Sequence, residues 1–145
     1  MIKLTILGIP QPKQSAKFRA LKMGNKTFVK SYQPKSVVDN ERNIAYDIKT
    51  QLNPDFKPFN CPIGIKALFV FPPLKSWSKK QLALLESGAT IYKPTKPDLT
   101  DNLMKGLCDA MTGIVYIDDA LICSVGGTDK IYGFVPRIEI EIYTL

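Results

Sequence analysis

Four aspartates and a lysine stand in two short stretches of the chain: Asp98, Asp101 and Lys105 within Lys96-Pro97-Asp98-Leu99-Thr100-Asp101-Asn102-Leu103-Met104-Lys105, and the pair Asp118-Asp119. Carboxylates are hard oxygen donors, and Mg²⁺ takes one or two of them while water and phosphate oxygens complete its shell. Such residues suit hydrolysis of a phosphodiester, in which bound metal neutralises phosphoryl charge, activates a water and stabilises the leaving oxygen. The spacing predicts Asp98 just before a helix and Asp101 on its first turn, pointing the same way because three residues make nearly one turn. Asp119, at the start of a later strand, is the third expected ligand, with Asp118 in support. Lys105, one turn beyond Asp101, is expected to contact the scissile phosphate or the attacking water.

Each residue also has an ordinary explanation. Asp98 suits an N-cap and Asp101 a helix dipole, while Asp101 and Lys105 stand at the spacing of a surface ion pair. Asn102 is a residue common in first helical turns. None of these accounts for the Asp118-Asp119 pair.

Composition narrows the chemistry further. The chain contains no histidine, which excludes Ser-His-Asp and Cys-His nucleophile systems and His-based metal sites. Cys61, Cys108 and Cys123 are far apart, with no Cys-x-x-Cys pair, and read as reduced, buried thiols. Trp77 and Tyr92 are candidates to stack on an unpaired base, although packing is the commoner role for such residues. A net charge of +7 favours a polyanionic partner through counterion release. Lys13, Lys17, Arg19 and Lys22, in an expected basic loop, are the predicted phosphate-backbone contacts, with Lys93 and Lys96 flanking the acidic segment.

The elements that must position these groups follow from periodicity. Ile2 to Ile9 reads as a first strand, stopped by Pro10 and Pro12. Lys26 to Tyr32 alternates as a second, and Val37 to Leu52 carries apolar residues at helical steps, with Ser36 as cap. Pro62 to Phe71 is apolar on alternate and intervening positions, as in a strand buried on both faces. Ser78 caps a short helix that stops before Gly88. After Asp98, Leu103, Leu107 and Ala110 share one side of a helix and Asp101, Lys105 and Asp109 the other. Ile117 to Val125 is expected as a strand, residues 126–129 as a turn, and Val135 to Tyr143 as a last strand with Ile138, Ile140 and Ile142 inward. At 145 residues the chain suits one α+β domain spanning 1–145, with a mixed sheet of four or five strands and two principal helices. No run reaches the roughly 18 apolar residues of a membrane span, and Met1 to Thr5 lacks a secretory leader's layout, so a cytoplasmic protein is expected.

The order of these pieces resembles the RusA family of Holliday-junction resolvases over most of the chain. The family's Pro-Asp-x-Asp-Asn-Leu-x-Lys segment is similar to Pro97 through Lys105, its Asp-Ala-x-x-Gly helix end to Asp109-Ala110-Met111-Thr112-Gly113, and its later Asp-Asp pair to Asp118-Asp119. Gly8-Ile9-Pro10-Gln11-Pro12-Lys13 resembles its first strand and Pro-Lys turn. Many members have one residue between the two aspartates where Leu99 and Thr100 both stand here, a departure that bears on Asp98 as a direct ligand rather than on Asp101. Leu121 stands where the family often has a polar residue. The resemblance implies a RusA-like fold, Mg²⁺ or Mn²⁺ as cofactor, a homodimer, and paired nicks in a four-way DNA junction during recombination and repair. It implies a functional Lys105. Two alternatives stay open: a non-cleaving branched-DNA-binding protein of the same fold, and a nuclease for other branched or flapped DNA.

Overall fold

The computed structural model describes residues 1–12, 17–32 and 35–145. Along the chain come β1 (Ile2–Leu7), β2 (Lys17–Met23), β3 (Lys26–Tyr32), α1 (Lys35–Gln51), β4 (Ile63–Phe71) and α2 (Lys79–Glu86). A π-helical turn (Leu99–Met104) then runs directly into α3 (Lys105–Met111). A 3₁₀ turn (Asp119–Leu121), β5 (Ile122–Val125), β6 (Asp129–Tyr132) and β7 (Arg137–Thr144) complete the order.

The sheet is mixed and five-stranded. β7 lies antiparallel between β1 and β4, and β5 and β6 both pair in parallel with β4. Because β5 meets Ile63 to Ile65 and β6 meets Leu68 to Phe71, they lie end to end as one interrupted strand. In the interruption the Thr128 hydroxyl accepts the Ala67 N–H at 3.2 Å, a bond that a continuous ladder would have supplied from backbone.

Alternation determines which face is covered. Ile138, Ile140 and Ile142 of β7, Leu4 and Ile6 of β1, and Ile63, Ile65, Ala67 and Phe69 of β4 are buried together with Ile44 and Ile48 of α1 and Leu103, Leu107, Ala110 and Met111 of the last helix. The intervening residues of β7 and β1 form a polar face, on which Lys3 and Glu141 approach to 3.3 Å. Lys66 is the exposed member of β4, so burial on both sides is not complete. Gly64 lies under the Tyr143 ring, leaving no room for a Cβ. At α2, Ser78 accepts the Gln81 N–H while Gln81 accepts the Ser78 N–H, a reciprocal cap.

Several expectations are corrected: Ser36 lies within α1 and does not precede it as a cap, and Cys123 is exposed. Lys17 to Lys22 is not a loop but part of β2, paired antiparallel with β3. Gly24-Asn25 forms its two-residue turn with Gly24 at φ +62°, a conformation that glycine adopts without strain. Asp119 is not the first residue of a strand, since the 3₁₀ turn intervenes before β5. Asp129, read as the end of a turn, instead opens β6.

Candidate metal and nucleic-acid site

The acidic segment is carried by the outer edge of the sheet. Tyr132 N–H donates to Ile91 C=O at 2.9 Å and Lys93 N–H to Lys130 C=O at 3.0 Å, laying residues 91–93 antiparallel along β6. The chain therefore runs back toward the end at which β5 begins, where Asp119 sits. Along the way Lys130 Nζ donates to the carbonyls of Thr95 at 2.6 Å and Pro97 at 2.7 Å. The Lys96-Pro97 peptide is cis.

Asp98 occupies the N-cap position without capping through its side chain. Its two carboxylate oxygens instead accept from Lys96 Nζ at 2.9 and 2.8 Å. Asn102 performs the local satisfaction, its Oδ1 accepting the Asp98 N–H at 3.2 Å. The Leu103 N–H reaches five residues back to the Asp98 carbonyl at 3.1 Å, the signature of π geometry. Leu99 and Thr100, the two residues between Asp98 and Asp101, open this wider turn. The expectation that a three-residue step aligns the two carboxylates rested on α-helical geometry, and the turn that carries them is not α-helical.

Asp101 and Lys105 are both exposed and form no ion pair with each other among the described residues. The apolar side of the same segment is buried as expected through Leu103 and Leu107. Asp118, by contrast, serves the local backbone, since its Oδ1 accepts the Ala120 N–H at 2.8 Å and caps the 3₁₀ turn. Asp119 follows it on the surface. Its negative charge acts to raise both the Cys108 thiol and the Tyr116 hydroxyl. Tyr116 is buried and donates to the Cys108 carbonyl at 2.8 Å, tying the segment before Asp118 to that helix.

Burial pushes the Cys108 thiol up from its ordinary value, with Asp109 and Asp119 acting in the same direction. Burial likewise raises the Tyr116 hydroxyl well above the usual tyrosine range. The Lys130 ammonium is lowered, chiefly by desolvation and then by Lys93; Asp98 opposes and Lys96 adds to the effect. Lys96 thus contacts Asp98 directly, while Lys130 feels the charge of both. Lys93 Nζ donates to Thr95 Oγ1 at 2.8 Å and stands 5.3 Å from the ring centroids of both Phe71 and Tyr132. Trp77 packs edge-on against Tyr132 at 4.8 Å, whereas Tyr92 is exposed. Of the other expected DNA contacts, Lys22 is exposed on β2, the backbones of Lys17 and Arg19 lie in the same strand, and Lys13 lies outside the described residues.

The donor chemistry fits a hard cation, since every candidate ligand is a carboxylate at the surface or half-buried. Among the described residues, no three acidic or thiol side chains gather into a cage.

Lys130 and Tyr116 were not anticipated as parts of this region. Lys130 lies in a four-residue strand behind a Gly-Gly turn, and its link to residues 95 and 97 is created only by the fold. Tyr116 gave no local signal beyond its nearness to Asp118.

Sequence comparison adds two findings. The family described as Endodeoxyribonuclease RusA matches residues 8–143. The chain is also 35% identical over 81 residues to "Uncharacterized protein YqaN" of Bacillus subtilis (strain 168), a match covering 55% of this chain and 54% of that protein. The chain thus spans about half the length of the curated relative it matches.

Proposed function

The chain belongs to the RusA endodeoxyribonuclease family, and on that premise we propose that it is a Mg²⁺-dependent, structure-selective endodeoxyribonuclease that resolves four-way DNA junctions by paired nicks. The observation that carries this reading is the state of the acidic side chains. Asp98 does not cap its helix through its side chain, and Asp101 does not pair with Lys105, so capping and a local ion pair do not account for these two residues; Asp98 is held by Lys96 and Asp101 stands in the first turn.

Asp98, Asp101 and Asp119 would hold Mg²⁺ or Mn²⁺, with Asp118 fixing the turn that presents Asp119. When bound, the metal would supply charge neutralisation on the phosphoryl oxygens and a water of lowered pKa. Lys105, exposed one turn beyond Asp101, would stabilise the charge that develops on the phosphoryl group. Lys93 and Lys96 would receive the DNA backbone beside the acidic segment, and the β2–β3 hairpin with Lys17, Arg19 and Lys22 would extend that contact. A Lys96 that leaves Asp98 for a phosphate would expose the carboxylate to the metal. The Lys96–Asp98 pair is suited to such an exchange because the Asp98 side chain is 45% exposed and a surface ion pair is weak.

A homodimer would match the approximate two-fold symmetry of a four-way junction and place one site on each of two strands. Sedimentation at several concentrations tests the dimer. No described helix is long and apolar enough to cross a membrane, and a DNA-cleaving role would place the protein in the cytoplasm of a prokaryotic host.

Asp119→Asn tests the reading directly. On a synthetic junction in Mg²⁺ the variant should retain gel-shift binding and lose cleavage; cutting at the wild-type rate would remove Asp119 from the site. The alternative, a junction-binding protein that does not cleave, draws support from the bidentate hold of Lys96 on Asp98 and the lack of a three-carboxylate cage among the described residues. Binding without cleavage in both Mg²⁺ and Mn²⁺ by the wild-type protein would favour it.

A further inference from the structure

We infer that Lys130 is the positioning residue for Asp98: by holding the carbonyls of Thr95 and Pro97, its ammonium fixes where the Asp98 carboxylate stands and so sets the affinity of the site for a divalent cation. The inference deepens the proposed function and rests on it.

Two geometric facts carry it. The donations to Thr95 and Pro97, at 2.6 and 2.7 Å, are short for bonds to neutral carbonyls, and they span the residues immediately before Asp98. Lys130 itself is fixed, because it belongs to β6, whose ladder with β4 runs from Leu68↔Asp129 to Phe71↔Tyr132. Asp98 is tied to the helix that follows it through Asn102 Oδ1 and the Leu103 N–H, but among the described residues the Lys130 bonds are the only hydrogen bonds that join residues 94–98 to the sheet. The loop's backbone bonds to β6 end at Lys93, and the helix begins only after Asp98. Between those limits the clamp is what converts the position of a sheet strand into the position of a carboxylate. An ammonium is suited to such a clamp, since it offers three donors and can satisfy two carbonyls at once.

A solvated surface lysine, or one serving phosphate contact alone, predicts something different. In those cases Lys130→Met would weaken DNA binding without touching the metal, and its effect would be independent of Asp98.

The experiment is Mn²⁺ titration, followed by electron paramagnetic resonance, on the wild-type chain, Lys130→Met, Asp98→Asn and the double variant. Lys130→Met should bind Mn²⁺ about tenfold more weakly, the lower end of what loss of an outer partner costs a metal site. Combining it with Asp98→Asn should add little, because both remove the same ligand from its place. Lys130→Arg, which keeps the charge and two donors, should recover part of the loss. Hydrogen exchange of residues 93–99 should quicken in Lys130→Met while the sheet stays protected, which separates loop release from unfolding. Wild-type Mn²⁺ affinity in Lys130→Met, or losses that simply add in the double variant, would overturn the inference while leaving the proposed function standing. If Asp98→Asn itself leaves wild-type Mn²⁺ binding unchanged, the metal role of Asp98 fails and the inference falls with it.

Discussion

Lys96 grips both carboxylate oxygens of Asp98, at 2.8 and 2.9 Å, across a step of only two residues. The same ammonium cannot serve a phosphate and hold this carboxylate fully. Lys96→Gln should therefore tighten Mn²⁺ binding, because Asp98 loses its competing cation. At the same time it should weaken junction binding and lower the slope of log K against log[salt] by about 1, the value of one phosphate contact. Titrations of Mn²⁺ and of a junction at several salt concentrations measure both effects. Losses in both, or no change in the salt slope, would contradict the shared role.

The neighbouring aspartates of the second stretch should separate cleanly. Asp118 accepts the Ala120 N–H and holds the turn, so Asp118→Ala should cost about 1 kcal/mol, as loss of a cap does, and lower Tm by about 3 °C. Asp119 makes no such bond among the described residues, and Asp119→Asn should leave Tm unchanged while reducing cleavage at least about 100-fold, the scale on which charge stabilisation at a reacting centre is lost. Thermal unfolding beside single-turnover cleavage decides the matter.

Gly64 and Tyr143 occupy paired positions on β4 and β7. A Cβ at Gly64 would overlap the Tyr143 ring. Gly64→Ala should destabilise the protein by about 1–3 kcal/mol, the usual range for overpacking. Tyr143→Ala made together with it should recover much of that loss, since the ring is what the methyl meets. Urea midpoints of the two single variants and the double variant supply the cycle.

Alkaline pH should destabilise the fold through Cys108. Burial keeps its thiol protonated in the folded chain beyond the pH at which the unfolded thiol ionises, about 8.5. Above that pH the unfolded state binds fewer protons than the folded state, so stability falls as pH rises from the unfolded toward the folded value. Cys108→Ala should flatten this decline in urea midpoints between about pH 8 and 10. Alkylation at about pH 8 should reach exposed Cys123 well before Cys108, since the thiolate is the reactive form.

The elements legible before folding were those whose own residues carry the pattern. Ile138, Ile140 and Ile142 alternate strictly and become the inward side of β7, and Ser78 with Gln81 announces the cap of α2. The acidic segment was legible through residue types, and the opposition of Leu103 and Leu107 to Asp101 and Lys105 survives in the structure. What could not be read depends on partners elsewhere. β2 looked like a loop because its basic residues mask the alternation, although Gly24-Asn25 already marked a turn with pairing room on either side. β6 has only four residues and becomes a strand because the edge of β4 is there to receive it. The π turn likewise follows from a demand made at two ends: Leu103 must face the core while the Asp98 segment is held at β6, and one more residue than an α turn accommodates lies between them.

The break at Gly126-Gly127-Thr128 has a consequence for how such a protein can be retuned. β5 carries the 3₁₀ turn of Asp119 at its entrance, β6 carries the segment of Asp98 on its flank, and the same margin of β4 acts as a ruler for both. With each strand held by its own ladder, an insertion at that break should loop out and leave both graduations where they stand. Moving one acidic group past the other would require one strand to change its register on β4, and two residues is the smallest step that keeps each side chain on its own face.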